Sequence, residues 1–249
     1  MVLKRKKIKT LFVSDLHIGL YFSKLEYFYK ILDYYEMEAI YFIGDTMNST
    51  KLAQRKKELF DSLLNHIDKN TKLYFLQGNH DKELHYNEKF INEMVYTTLK
   101  NKKYLLIHGD IYEQTVPPLS LYNKILGESV YFVALHLNDI IYAIQKRLNH
   151  KKTFLVTKFI KEHHSLIIQS MKKCKLFLSD YAKQKELNGV ICGHIHYPMH
   201  ECVNGVDYFN CGDWIENLSF VIEEYNGELK LLTFHDIYDM NGNLCSNIS

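Results

Sequence analysis

At 249 residues the chain has the length of one large domain, or of one domain carrying an insertion. A hydrophobic share of 47% with only 3 prolines excludes an extended, disordered chain. The formal net charge of +2 gives no global field that would select nucleic acid.

Charge clusters locally at the start, in Lys4, Arg5, Lys6, Lys7 and Lys9. This run reads as a solvated lead-in to a first strand or as a contact for an anionic surface, where each basic residue is worth about 1 kcal/mol. No long apolar segment follows it, so neither a signal peptide nor a membrane span is expected. Five cysteines, odd in number and without a Cys-x-x-Cys pair, suit a reducing cytosol better than a disulfide framework. Cys192 and Cys211 are expected to behave as small buried hydrophobes.

Ile8 to Ser14 reads as a short strand ending in Asp15-Leu16-His17. Ser23 to Tyr35 follows with Leu25, Phe28, Leu32 and Tyr35 at helical spacing. Ala39 to Ile43 is a second buried strand that ends in Gly44-Asp45, and Lys51 to Ile67 is a second amphipathic helix. A third strand, Lys72 to Leu76, leads into Gln77-Gly78-Asn79-His80-Asp81. Val95 to Leu99 and Tyr104 to Ile107 form a hairpin whose second arm ends in His108-Gly109-Asp110. From about 111 to 188 the pattern turns helical, with apolar stripes through Leu119, Tyr122, Ile125, Leu126, Val130 and Val133, then Ile140, Ile141, Ile144 and Leu148. Lys146, Arg147, Lys151, Lys152, Lys158 and Lys161 lie among them, and His163-His164 reads as part of a solvated helix face. Gly189 to Cys192 returns to strand character and ends in Gly193-His194-Ile195-His196. Asn204-Gly205 and Asn226-Gly227 then mark two hairpin turns between apolar runs.

Strands alternating with helices early and hairpins late predict a mixed α/β layered fold. Each of five strand candidates delivers polar side chains at its C-terminal end: Asp15 and His17, Asp45, Asn79 and His80, His108, and His194 with His196. Ligand crevices of open α/β sheets lie at those ends. Carboxylates, an amide oxygen and imidazoles without a thiolate suit Mn2+, Mg2+, Fe or Zn2+, and disfavour a structural zinc knot or a Cu(I) site. Seven such groups are too many for one ion with an open position, but match two ions that share a carboxylate, the arrangement that clamps an in-line displacement at phosphorus.

Asp-x-His, Gly-Asp, Gly-Asn-His-Asp, His-Gly-Asp and Gly-His-x-His, in that order, resemble the calcineurin-like metallophosphoesterases over about Ile8 to Phe234. The resemblance implies a four-layer α/β/β/α sandwich, here one domain over 1–249 with a helical insertion. It implies that Asp15, His17 and His196 hold one metal, that Asn79, His108 and His194 hold the other, and that Asp45 bridges both. A water or hydroxide between the ions would be the nucleophile, with His80, oriented by Asp81, stabilising the transition state or protonating the leaving group. Asn79, His80 and His194 are the residues expected to touch substrate, and Asp110 is expected to fix a ring orientation.

Val190-Ile191-Cys192-Gly193-His194-Ile195-His196-Tyr197-Pro198 and Tyr208-Phe209-Asn210-Cys211-Gly212-Asp213-Trp214-Ile215-Glu216-Asn217 resemble, more narrowly, the UDP-2,3-diacylglucosamine pyrophosphatase family of lipid A synthesis. That resemblance implies two Mn2+ ions, an acylated UDP-sugar substrate, a helical lid over its chains, and a place in the cytoplasm or peripherally on the inner membrane. No nucleic acid and no obligate protein partner are expected. Some members of that family carry Arg at the position of His80. A different phosphoesterase, such as a nucleotide phosphodiesterase or nuclease, and a non-catalytic scaffold on the same fold are the alternatives.

Overall fold

A computed structural model describes residues 5–48, 53–81, 90–115, 165–239 and 242–245, with positions 137, 140, 141, 144 and 147. The chain divides into two compact units, Met1–Ile111 with Lys175–Phe234, and Tyr112–Cys174 with His235–Ser249.

The first unit is built on two sheets. Strands β1 (Lys6–Val13), β2 (Tyr35–Ile43), β3 (Lys72–Leu76) and β4 (Phe90–Ile91) run parallel, and β10 (Ser219–Glu223) and β11 (Leu229–Thr233) complete a six-stranded sheet in the order β11-β10-β1-β2-β3-β4. The second sheet has five strands in the order β5-β6-β7-β9-β8, made of β5 (Glu93–Thr97), β6 (Lys103–Ile107), β7 (Gly189–Cys192), β8 (Met199–Val203) and β9 (Val206–Asn210). In this sheet β6, β7 and β9 are parallel.

The two sheets bury a common core, because alternate residues of a strand point to one face. Phe12, Tyr41, Ile43, Leu76 and Val221 of the first sheet cluster with Tyr96, Tyr104, Leu106, Ile191 and Phe209 of the second. Phe12 stands edge-on to Tyr96 with ring centroids 4.9 Å apart. Inside this layer Tyr96 bonds both Thr10 Oγ1 and the fully buried Glu223, whose other oxygen accepts the Leu99 N–H at 2.7 Å, so the buried carboxylate is satisfied.

The opposite face of the first sheet is also apolar. Phe42 and Phe75 stack at 4.8 Å, covered by Phe28 of α1 (Leu25–Tyr34) and Phe60 of α2 (Ala53–His66). Burial on both faces explains why Leu11–Val13 of β1 and Ala39–Ile43 of β2 read as continuous hydrophobic runs without alternation. The part of α3 (Ser165–Gln184) that belongs to the first unit lies against the second sheet. Leu178 and Ala182 are buried, and Tyr181 donates to Glu93 on β5 at 3.0 Å. The fold is thus the expected mixed α/β sandwich.

Most sequence boundaries hold within a residue or two. One difference is β2, which starts at Tyr35, directly after α1, four residues earlier than the apolar run. Glu36 and Glu38 point outward to Lys7 and Lys9 on β1, so these charges interrupt the hydrophobic signal without interrupting the pairing. The Asn-Gly turns also differ from each other. Asn204 and Gly205 both take positive φ (53° and 83°), the two-residue hairpin turn that matches strand twist. At Asn226-Gly227 only Gly227 does, closing a longer loop through Glu224 N–H to the Glu228 carbonyl at 3.0 Å.

In the second unit Leu137, Ile140 and Ile144 are helical and 44%, 57% and 53% exposed. Leu119, Tyr122, Ile125, Leu126, Val130, Val133, Leu148, the lysines between 146 and 161, His163 and His164 fall outside the described residues. Among the described residues no helix is long and apolar enough to cross a membrane.

Candidate metal centre

The five polar strand ends meet in the first unit. The loops after β1 and β2 zip together through Asp15 N–H to Gly44 O, His17 N–H to Asp45 O and Ile18 N–H to Thr46 O, at 3.1, 2.9 and 3.0 Å. Gly193 N–H to His108 O joins the loops after β6 and β7 in the same way, at 3.0 Å. The two sheets are then tied across the site by the His194 N–H, which donates to Asp15 Oδ2 at 2.9 Å.

Five of the gathered residues have positive φ without being glycine: Asp15 (52°), His17 (44°), Asp45 (48°), His194 (71°) and His196 (50°). This conformation is strained for side chains with a Cβ, costing about 1–3 kcal/mol each, and persists only where the surroundings enforce it. It lets alternate residues of a short loop send side chains into one space. The motif glycines make the room. A Cβ on Gly44, itself at φ 77°, would stand 2.4 Å from the His108 ring, and one on Gly78 would stand 2.2 Å from Asp45 Oδ1. Gly44→Ala is therefore expected to lower the melting temperature and to weaken divalent-ion binding together, read by thermal denaturation with and without chelator; a variant that melts and binds like wild type would contradict this packing.

Asp45 lies at the centre and is buried. Its Oδ1 accepts the His80 N–H at 2.8 Å, which turns Oδ2 toward three imidazoles: His108 Nε2 at 3.4 Å, His17 Nε2 at 3.7 Å and His80 Nε2 at 3.9 Å. Asp15 is arranged likewise. Its Oδ2 is occupied by Ser14 Oγ at 2.6 Å and by the His194 N–H, while Oδ1 lies 3.7 Å from His17 Nε2 and 3.1 Å from His196 Nε2. Burial opposes the charge on both carboxylates. The imidazoles still hold them ionised, below the usual range, with His196 and His17 acting on Asp15 and His108 on Asp45. Burial alone would likewise depress the His108 imidazole, but Asp45 and then Asp15 push it up to about 10. The pocket's field favours positive charge.

The donor set fits divalent ions on several observations. Asp15 Oδ1 and His17 Nδ1 are buried and accept or donate no aligned hydrogen bond. His108 Nδ1–H donates to the Ile43 carbonyl at 3.0 Å, which points Nε2 at Asn79 Oδ1 (3.3 Å) and Asp45 Oδ2 (3.4 Å), two oxygens that favour a positive charge between them. Ligand atoms of Asp15, His17 and His196 converge within 4.8 Å, as do those of Asp15, Asp45 and His108, and those of His17, Asp45 and His80. His194 stands edge-on to His108, ring centroids 5.2 Å apart, outside these tight groups.

His80 is partly exposed, with 41% of its side chain accessible, and its ring meets His17 edge-on at 5.0 Å. Burial depresses its pKa despite Asp45, with His17 and His196 adding to the effect. It is neutral at pH 7. Asp81 accepts Met47 N–H and Gly78 N–H, both at 3.0 Å, so both of its oxygens are committed to loop backbone. Burial pushes its carboxyl up to about 6 against those two bonds. Its influence on His80 runs through the loop. Asp110 opens a 3-10 turn, Asp110–Thr115. Cys192 and Cys211 are fully buried. Ser14, Asp213 and Asn217 surround the candidate ligands and were not legible as site residues; the sequence signal was that Asp213 and Asn217 fall in the Gly212 to Asn217 stretch.

A set of carboxylate and imidazole donors at the strand ends of a two-sheet α/β sandwich fits a metal-dependent phosphoesterase. The family model of the calcineurin-like phosphoesterases matches residues 8–198, and the chain belongs to that family. A search of curated proteins finds no match. Similar solved structures include a predicted phosphoesterase of Streptococcus pneumoniae (14% identity, 96% of this chain and 94% of that one, TM-score 0.41). Vacuolar protein sorting 29 of Cryptosporidium parvum (14%, 90% and 94%, 0.45) and the phosphoesterase Yfce of E. coli (14%, 93% and 96%, 0.45) are similar too.

Divalent ions held by these residues supply Lewis-acid polarisation of a phosphoryl oxygen and acidify water. The chain's own part is to present buried, pre-ionised carboxylates and imidazoles in fixed orientation. It also keeps a neutral His80 at the accessible rim, where an N–H can donate to a phosphate or leaving-group oxygen.

Proposed function

We propose that the protein hydrolyses the diphosphate of UDP-2,3-diacylglucosamine. Water adds to one phosphorus, the P–O anhydride bond breaks, and UMP and 2,3-diacylglucosamine 1-phosphate leave. On this reading Asp15, His17 and His196 hold one ion, Asn79, His108 and His194 the other, and Asp45 both, with Mn2+ as the metal. Asn79, His80 and His194 face the substrate, and Asp81 is a positioning residue for the His80 loop. The protein acts in the cytoplasm, peripherally at the inner membrane.

The observation that carries the choice of a lipid substrate is the exposed helical stripe Leu137, Ile140 and Ile144, followed one turn on by the exposed Arg147. An apolar face beside a cation suits an amphipathic acyl-and-phosphate ligand. A second reading, a phosphodiesterase for another substrate, is favoured by the neutral His80, because a proton-donating or hydrogen-bonding group at that position matters most for an alkoxide leaving group. Hydrolysis of UDP-2,3-diacylglucosamine with Mn2+ and with chelator, beside an aryl phosphodiester and single-stranded DNA, separates the two. Mn2+-dependent release of UMP faster than cleavage of either control is expected. Cleavage of the controls with the glycolipid untouched would transfer the protein to the second reading.

A further inference from the structure

The stretch Gly212-Asp213-Trp214-Ile215-Glu216-Asn217 follows β9 and supplies none of the expected ligands, yet it touches two of them. Asp213 is completely buried. Its Oδ1 accepts the N–H groups of Ile215, Glu216 and Asn217 at 2.8, 2.6 and 3.2 Å, which folds the stretch into a tight turn around one carboxylate oxygen. The other oxygen, Oδ2, accepts Asn217 Nδ2–H at 2.7 Å and stands 3.7 Å from His196 Nδ1. The same Asn217 amide donates to the His196 carbonyl at 3.1 Å. Asn217 thus clips the backbone of His196 to the carboxylate that faces its ring.

The turn reaches Asp15 as well. Trp214 N–H donates to the Asp15 carbonyl at 3.1 Å, and Ser14 Oγ, which lies 2.6 Å from Asp15 Oδ2, is 3.1 Å from the Gly212 carbonyl. Asp15 and His196 are both held at strained positive φ, and each has its carbonyl anchored by this one turn. Carboxylates behind a metal-ligating imidazole set its orientation and basicity, and outer partners of this kind typically account for about 10–100-fold in metal affinity.

We propose that Asp213 and Asn217 are positioning residues for one ion of the pair: they prebuild the Asp15, His17 and His196 set, and they act little on the set of Asn79, His108 and His194. The inference rests on the metal centre and is independent of which phosphoester is hydrolysed.

The test is Mn2+ titration of metal-stripped protein by calorimetry, with Mn2+ electron paramagnetic resonance to tell paired from single ions. Wild type should show two binding events. In Asn217→Ala and Asp213→Asn one event should weaken by about 10–100-fold; it should be the event that His17→Ala removes, and the event that Asn79→Ala removes should keep its affinity. Turnover of an aryl phosphodiester by both variants should recover as Mn2+ is raised. Asn217→Ala leaves the three backbone bonds to Asp213 in place, so it carries the test if Asp213→Asn does not fold. Wild-type affinities in Asn217→Ala, or equal weakening of both events, would overturn the proposal. A wild-type protein that takes up no Mn2+ would overturn the two-ion centre and this inference with it.

Discussion

Asp45→Asn is expected to reduce phosphodiester turnover by on the order of 10³-fold or more, above the 10–100-fold typical of groups that only support a ligand. The reason is the number of partners that one carboxylate serves. Oδ1 fixes the His80 backbone at 2.8 Å, and Oδ2 stands within 3.9 Å of the Nε2 atoms of His108, His17 and His80. His17 and His108, one from each of the two expected metal sets, both face this one oxygen. Asparagine keeps the shape and can still accept the His80 N–H, so the loop should survive, but it removes the charge on which a shared cation site depends. Turnover with saturating Mn2+, metal content after dialysis and circular dichroism check the three parts separately. Folded variant with wild-type turnover would remove Asp45 from the centre.

The sequence revealed the candidate ligands better than it revealed what holds them. Asp15, His17, Asp45, Asn79, His108, His194 and His196 were legible because strand ends are legible: each follows a short apolar run, and parallel strands send their C-terminal loops to one side. The same logic missed β4, whose two residues carry no periodicity, and the start of β2, where outward-facing glutamates mask the pattern. The strain was not legible either. Nothing in the residue types predicts that Asp15, His17, Asp45, His194 and His196 all sit at positive φ. That follows from tertiary bonds such as His17 N–H to Asp45 O, and from the close approach of Gly44 to His108. Asp213 reads in the sequence as one more turn aspartate. Only the fold brings it 3.7 Å from a ring seventeen residues earlier in the chain.

His80→Ala is expected to have an effect that depends on the leaving group. Burial keeps the ring neutral at pH 7, so its contribution is an N–H hydrogen bond to developing negative charge, not a stored positive charge. For a diester with an alkoxide leaving group the loss should be about 10²–10⁴-fold. For a nitrophenolate or phosphate leaving group, which departs without help, it should be far smaller. Because the depressed pKa lies below the ordinary histidine value of about 6.5, the ratio of wild-type to variant rates should stay flat from about pH 7 upward and change only on acidification. His80 also falls in a ligand-like group with His17 and Asp45, so metal content decides between two roles. An unchanged Mn2+ stoichiometry with a loss confined to poor leaving groups places His80 on the substrate. Loss of an ion, with equal damage to every substrate, would make it a ligand instead, and the choice between anhydride and ester would then have to rest on the second unit alone.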